Sequence, residues 1–504
     1  MSRTVNIATS ASVAFLAGFL VSVASSPASA QEPKRGGTLV YALTADPPHL
    51  NAALTNDLNA QQTATQVFSQ LIRVNKNAEV TGDLAESWSM APDGLSYTFK
   101  LRQGVTFSNG KAFTADDVVF SINTILDPKN GAEQSAGNIA SVASVKKVDD
   151  YTVEFTTKEV DPALPARLAI VGISEDGTTA AQRGETLIGT GPYKQASWDK
   201  SDHIKLTARS DYWGPKPKWQ TVNVFFRPED ATRISALKTG EVQLAADISP
   251  ELAATAPKVE QAPQSVVALI RFNTLQGPLT DPKLREAVNL AIDRKTLVDK
   301  VYGGYAVLPN GQPIGKMAFG YNDAMTDGPY DPAKAKQLVR AAGGNIPLTL
   351  MGSTGRTLKD SEAAQAVAAM LDNVGFKVTT SFPTLDKWVS AGVYAKPPGG
   401  PDLVYVGHGN EVLDAAFTAQ LYFGCHGEIS RYCSASLDKT IASADSDLNI
   451  PNRAKLYGQV WQSLQDANAF APLANLDSVS GTAKDVVWTP RADGFLHFDD
   501  IAIG

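Results

Sequence analysis

The side chains able to do chemistry are few and far apart. The 504 residues hold five histidines, His49, His203, His408, His426 and His497, and two cysteines, Cys425 and Cys433. There is no Gly-x-Ser-x-Gly elbow and no His-Glu-x-x-His pair, so the signatures of an α/β serine hydrolase and of a zinc protease are both missing. Paired carboxylates of the glycosidase kind leave no local signature, which keeps a secreted hydrolase only as a remote alternative. Gly189-Thr190-Gly191-Pro192-Tyr193 lacks a following Gly-Lys-Ser/Thr. It therefore reads as a sharp turn, or as backbone around Thr190 that lines a ligand, and not as a phosphate cradle. Cys425 and Cys433 lie close together and read first as a local disulfide; His426 beside them keeps a small Cys/His metal site as the rival. No pattern asks for a cofactor, and none of these motifs marks an enzyme.

The N-terminus sets the compartment. Arg3 is the only charge before an apolar run at 11–23, and Ala28-Ser29-Ala30 has the small-x-small pattern of a signal-peptidase site. Residues 1–30 are thus expected to be a cleaved signal peptide, with the mature chain starting at Gln31. The apolar run is short for a membrane span, and no cysteine follows to carry a lipid, so the expected location is the periplasm. A net charge of −7 with no polybasic block argues against nucleic acid as a partner. The length exceeds one ordinary domain, so two or three lobes are expected.

Several elements must position whatever site exists. Gly36-Gly37 precede a short strand at 38–43, which stops at Asp46-Pro47-Pro48; a helix is read at 59–71. Strands are read at 222–227, 267–273 and 402–406, and a strand, helix, strand unit at 347–351, 359–374 and 376–380, with Gly375 ending the helix. Asp281-Pro282 and Asp331-Pro332 start two more helices, and 451–467 is another. The best linker candidate is 396–401, Lys-Pro-Pro-Gly-Gly-Pro.

The segment 83–124, DLAESWSMAPDGLSYTFKLRQGVTFSNGKAFTADDVVFSINT, packs the densest information. Pro92-Asp93-Gly94 make a turn, and Tyr97, Phe99 and Leu101 alternate with polar residues as in a half-buried strand. Thr114 and Asp117 then form a capping box ahead of a helix with Val118, Val119, Ile122, Ile125 and Leu126 on one stripe. The order and spacing of these pieces resemble the signature of the family 5 solute-binding proteins, the extracytoplasmic receptors of ABC importers for peptides, nickel and related solutes. Gly189 to Tyr193, LKTGEVQL at 237–244 and VALIRFN at 267–273 extend that resemblance, which runs from Gly36 to about Phe498.

The resemblance implies an α/β protein of the type II periplasmic-binding-protein fold, with two lobes, a hinge and an extra small α/β domain. Lobe I is expected at 31–68, 187–275 and 478–504, the extra domain at 69–186 and lobe II at 276–477. It also implies a small solute, in the first place a peptide, as ligand, ABC permease subunits as partners, a monomer, and capture by hinge closure. Aligned from Cys425, Asp414 falls at the acid that pairs with the ligand's ammonium group in peptide-binding members; its rival reading is a helix N-cap. His408 stands where those members carry tryptophan, and Ala415 and Ala416 replace a proline and a polar residue. Asn410, Trp388, Thr44, Phe272 and Asn273 complete the expected lining with Thr190, while Tyr41 and Tyr405 are weaker candidates. Nickel chelates, haem, opines and sugar conjugates stand as alternative cargo.

Overall fold

Tyr97, Phe99 and Leu101 are buried, and their polar neighbours are not, in the strand Ser96–Leu101. That strand pairs with Ala85–Met90 and Thr152–Thr157, and Val142–Asp149 completes a four-stranded antiparallel sheet. Thr114 and Asp117 cap the helix Ala115–Leu126 reciprocally, Thr114 N donating to Asp117 Oδ2 at 2.8 Å. Helix and sheet share one apolar core running from Leu71 to Ile173, in the region expected to be the extra domain. These relationships come from a computed structural model, which describes residues 36–504 except 48, 51–57, 131–132, 180–181, 183–184 and 396–398. The expected signal peptide, its cleavage site before Gln31, Pro48 and the first half of the linker lie outside the described residues.

The larger framework is a mixed sheet of eleven strands among the described residues. At one end Phe376–Ser381 and Ile346–Met351 run parallel, joined through the helix Asp360–Val374, whose C-cap Gly375 adopts φ 105°. Leu403–His408 follows, and at the other end Thr38–Leu43, Thr221–Phe226, His203–Ala208 and Tyr193–Asp199 lie in that order. Asp281 and Asp331 cap their helices as read, accepting from Lys283 N and Lys334 N. The helix expected at 59–71 is shorter, Leu58–Ala64: just beyond it the carbonyls of Gln66 and Val67 accept from Tyr193 N and Gly191 N and not from a continuing helix.

Two long strands, Lys258–Phe272 and Phe470–Thr482, join the two halves of the sheet. Lys258 to Pro263 pair with Thr482 to Asp477, Val267 to Arg271 pair with Asn475 to Phe470, and the ladder breaks between. Pro263 brings no N–H to the ladder, and this is one physical cause of the break. Asn475 repairs it: its side-chain amide donates to Gln264 O at 2.7 Å and Val266 O at 2.9 Å. Because Val267–Phe272 also pairs with Leu403–His408, it belongs to the second half of the sheet and not, as expected, to lobe I. This short unladdered segment of two crossing strands is where a hinge between the two halves would lie.

Candidate functional site

Strand register decides which expected residues meet. Val267 lies opposite His408, and Phe272 lies opposite Leu403. The end of Leu403–His408 nearest the hinge is thus His408, while Phe272 and Asn273 sit five residues away, about 16 Å along the strand. Phe272 and Tyr405 face the apolar core beneath the helices Pro282–Ala291 and Asp360–Val374. Tyr405 Oη is 3.2 Å from Tyr302 Oη, a buried pair. Phe272 and Tyr405 thus serve packing, contrary to the expected lining role: alternate side chains of a strand point to opposite faces, and theirs is the covered one. Asn273, the residue after the strand ends, is buried.

Thr190 is fully buried in a structural turn. A Cβ on Gly189 would lie 2.0 Å from Val67 O and one on Gly191 2.7 Å from Gln66 O, so both glycines are required by close backbone approach. Arg209 holds the turn by donating to Gly189 O at 3.2 Å and to Phe107 O at 3.2 Å. Tyr41 is likewise core, its hydroxyl donating to Gln62 Oε1. Thr44 follows the strand Thr38–Leu43 and is half-buried.

His408, Asn410, Asp414 and Trp388 do come together, but as a scaffold. His408 is buried, 2.6 Å from Thr418 Oγ1; burial, then the positive charge of Arg356, pushes its imidazole down to about 3 and keeps it neutral. Asn410 donates to Asp414 O at 3.0 Å and Thr418 Oγ1 at 3.1 Å. Leu413 is held at φ 51°, left-handed for a branched residue, by Phe319 N donating to its carbonyl at 2.8 Å. Asp414 caps the helix Ala415–Thr418 through Ala416 N, and Arg453 grips both its oxygens at 2.7 and 2.8 Å. The Asp414 carboxylate already has a buried guanidinium, which fits the N-cap reading and leaves little for a ligand ammonium. Trp388 is buried with Arg356 over its ring at 5.2 Å, and its indole N–H has no partner among the described residues.

Glu411, which the sequence reading passed over, sits on the loop this scaffold supports. It lines a small cavity with Gln70, Arg73, Arg491, Asp493 and His497, which come from the other side of the hinge. Each arginine there has its own acid: Arg491 Nε donates to Asp493 Oδ1 at 3.0 Å, and Arg73 lies 3.7 Å from Asp83. Burial drives the imidazole of His497 far down, so it presents a neutral ring. Glu411 accepts from its own backbone N–H, and no direct ion pair reaches it among the described residues; burial raises its carboxyl, and the more distant positive charge of Arg356 offsets that only in part. A half-buried carboxylate without a direct ion-pair partner favours a cation arriving from the cleft. The one sequence signal was position: it is the first charge after the strand end nearest the hinge.

The family model for bacterial extracellular solute-binding proteins, family 5, matches residues 79–428. The chain belongs to this family. Among its curated relatives, Heme-binding protein A of Haemophilus influenzae is 33% identical over 61% of this chain and 62% of its own. The glutathione-binding protein GsiB of Salmonella paratyphi A is 28% identical, covering 88% of this chain and 90% of its own. The dipeptide-binding protein of Pseudomonas aeruginosa is 27% identical over 86% and 89%. The fold matches DppA of Helicobacter pylori in complex with peptide STSA, with a TM-score of 0.80 at 24% identity over 93% of this chain and 98% of that one. This family 5 protein thus has the two-lobed α/β fold of periplasmic binding proteins, and its relatives are binding proteins. Cys425 and Cys433 form a disulfide across the loop that follows the Glu411 segment. Among the described residues no helix is long and apolar enough to cross a membrane.

Proposed function

We propose that this family 5 protein captures a small amine-bearing solute, in the first place a short peptide, between its two halves and hands it to an ABC permease. Glu411 is the proposed anchor for the amine, and the carrying observation is that no direct ion pair holds it in a cavity whose arginines each have their own acid. The names of the glutathione- and dipeptide-binding relatives support the peptide class. Export with cleavage before Gln31, periplasmic residence, a monomeric state and the absence of turnover belong to the same reading. Calorimetry with di- and tripeptides and their N-acetylated forms tests it. Binding of the free-amine forms, weakened tenfold or more by Glu411→Gln and by acetylation, is the expected result; indifference to both removes the anchor.

Haem is the second reading, because the 33% identical relative carries it in its name. A haemin titration followed by its absorption band separates the two, since a peptide receptor leaves that band unchanged. Recovering any bound peptide chemically intact distinguishes a receptor from a hydrolase.

A further inference from the structure

A chain of side chains crosses from the region of the small domain to the loop of Glu411 without entering the cavity. Arg167, on the short helix Leu164–Leu168, donates from Nη2 to Gln420 Oε1 at 3.2 Å, although 253 residues separate them. Gln420 Nε2 donates to Asp445 Oδ2 at 2.9 Å, and Asp445 also accepts from the Tyr457 hydroxyl. Arg453 lies 3.4 Å from that hydroxyl and grips Asp414, whose backbone is tied to Asn410 one residue before Glu411. Arg167 is 7% exposed, and its Nε, 3.5 Å from Asp161, has no hydrogen-bond partner among the described residues.

Apolar contacts run beside the polar ones. Ala163, 2% exposed, packs in the core cluster that holds Tyr422, Phe423 and Tyr457, far from its sequence neighbours' own core. Leu448 lies with Val160 against Gly94 in the turn that opens the strand Ser96–Leu101. The cavity between the halves is about 20 Å³, room for one water by volume. A solute therefore enters only when the halves part, and parting them severs Arg167 from Gln420.

We propose that Arg167 and Gln420 form a latch, a contact outside the solute cavity that holds the two halves together and couples closure to the loop of Glu411 through Asp445, Tyr457, Arg453 and Asp414. They are positioning residues: neither lines the cavity, and their effect is on the balance between open and closed forms. Losing one hydrogen bond to a buried guanidinium corresponds to about a tenfold rise in the open-to-closed ratio.

Spin labels on cysteines replacing the exposed Lys129 and Lys439 report the separation of the two regions in the full mature protein without any solute. The wild type is expected to show a closed population. Arg167→Met and Gln420→Leu should each move it about tenfold toward longer distances, with the double variant moving no further than either single one. Melting curves establish that each variant is folded, and Gln420→Leu keeps the test alive if Arg167→Met is not. An open wild type, unmoved distances in folded single variants, or single effects that simply add in the double variant would each overturn the latch. The experiment contains no solute, so its outcome is independent of whether Glu411 binds amines.

Discussion

Arg453 and Asp414 form a two-point ion pair, Nη1 to Oδ2 at 2.8 Å and Nη2 to Oδ1 at 2.7 Å, with both residues buried. Phe319 and Tyr457 lie at 4.6 and 5.1 Å from the guanidinium carbon, so the cation is sheathed in aromatic rings. Removing the acid strands a buried charge. Asp414→Ala should therefore cost about 3–5 kcal/mol in urea unfolding, and an Asp414→Leu, Arg453→Met double variant should recover much of it. A ligand anchor would behave in the opposite way, losing affinity with little change in stability.

Glu411→Gln is expected to leave the unfolding midpoint unchanged or slightly raised, because burial already disfavours its ionised form. The contrast between positions 411 and 414, three residues apart, is a single test of which acid faces the solute. Denaturant melts of both variants decide it.

His408 makes stability fall in acid. Its imidazole is held at about 3 by burial and by Arg356, against 6.5 when unfolded, so its contribution is complete above 6.5 and is lost as pH falls through the window between. The slope from this residue is about 1.4 kcal/mol per pH unit. Asp445 and Asp477, pushed up to about 6 by burial, act with the opposite sign, their folded forms gaining as pH falls through 6. Comparing His408→Gln with the parent between pH 6.5 and 4.5 isolates the histidine: the variant's acid slope should be shallower by that amount.

Asn475→Leu should loosen the hinge. The substitution removes both amide donors from Gln264 O and Val266 O, at a cost of about 1–3 kcal/mol. Amide hydrogen exchange should rise first in 258–272 and 470–482, and equal protection there would contradict the hinge assignment.

Gly189→Ala places a Cβ 2.0 Å from Val67 O and should destabilise by about 1–3 kcal/mol or more. Gly137, exposed in the helix Glu133–Asn138 with nothing within 4 Å of a built Cβ, is the control: its alanine variant should be neutral or stabilised by up to about 1 kcal/mol. Thermal melts of the pair read both.

What the sequence determined by itself was local. The period of Tyr97, Phe99 and Leu101, the Thr114 and Asp117 cap, Asp281 and Asp331 as caps and Gly375 as a stop are all decided within a few residues, where sterics and hydrogen bonding act directly on the backbone. The nearness of Cys425 to Cys433 belongs to the same class. Only the tertiary structure decided the site. Arg453 lies 39 residues beyond Asp414 and takes its carboxylate, Arg73 and Arg491 reach Glu411's cavity from distant segments, and register places Phe272 at the wrong end of its strand. Whether a charge is free or paired depends on what folding brings within 3 Å of it, and no spacing along one chain encodes that distance.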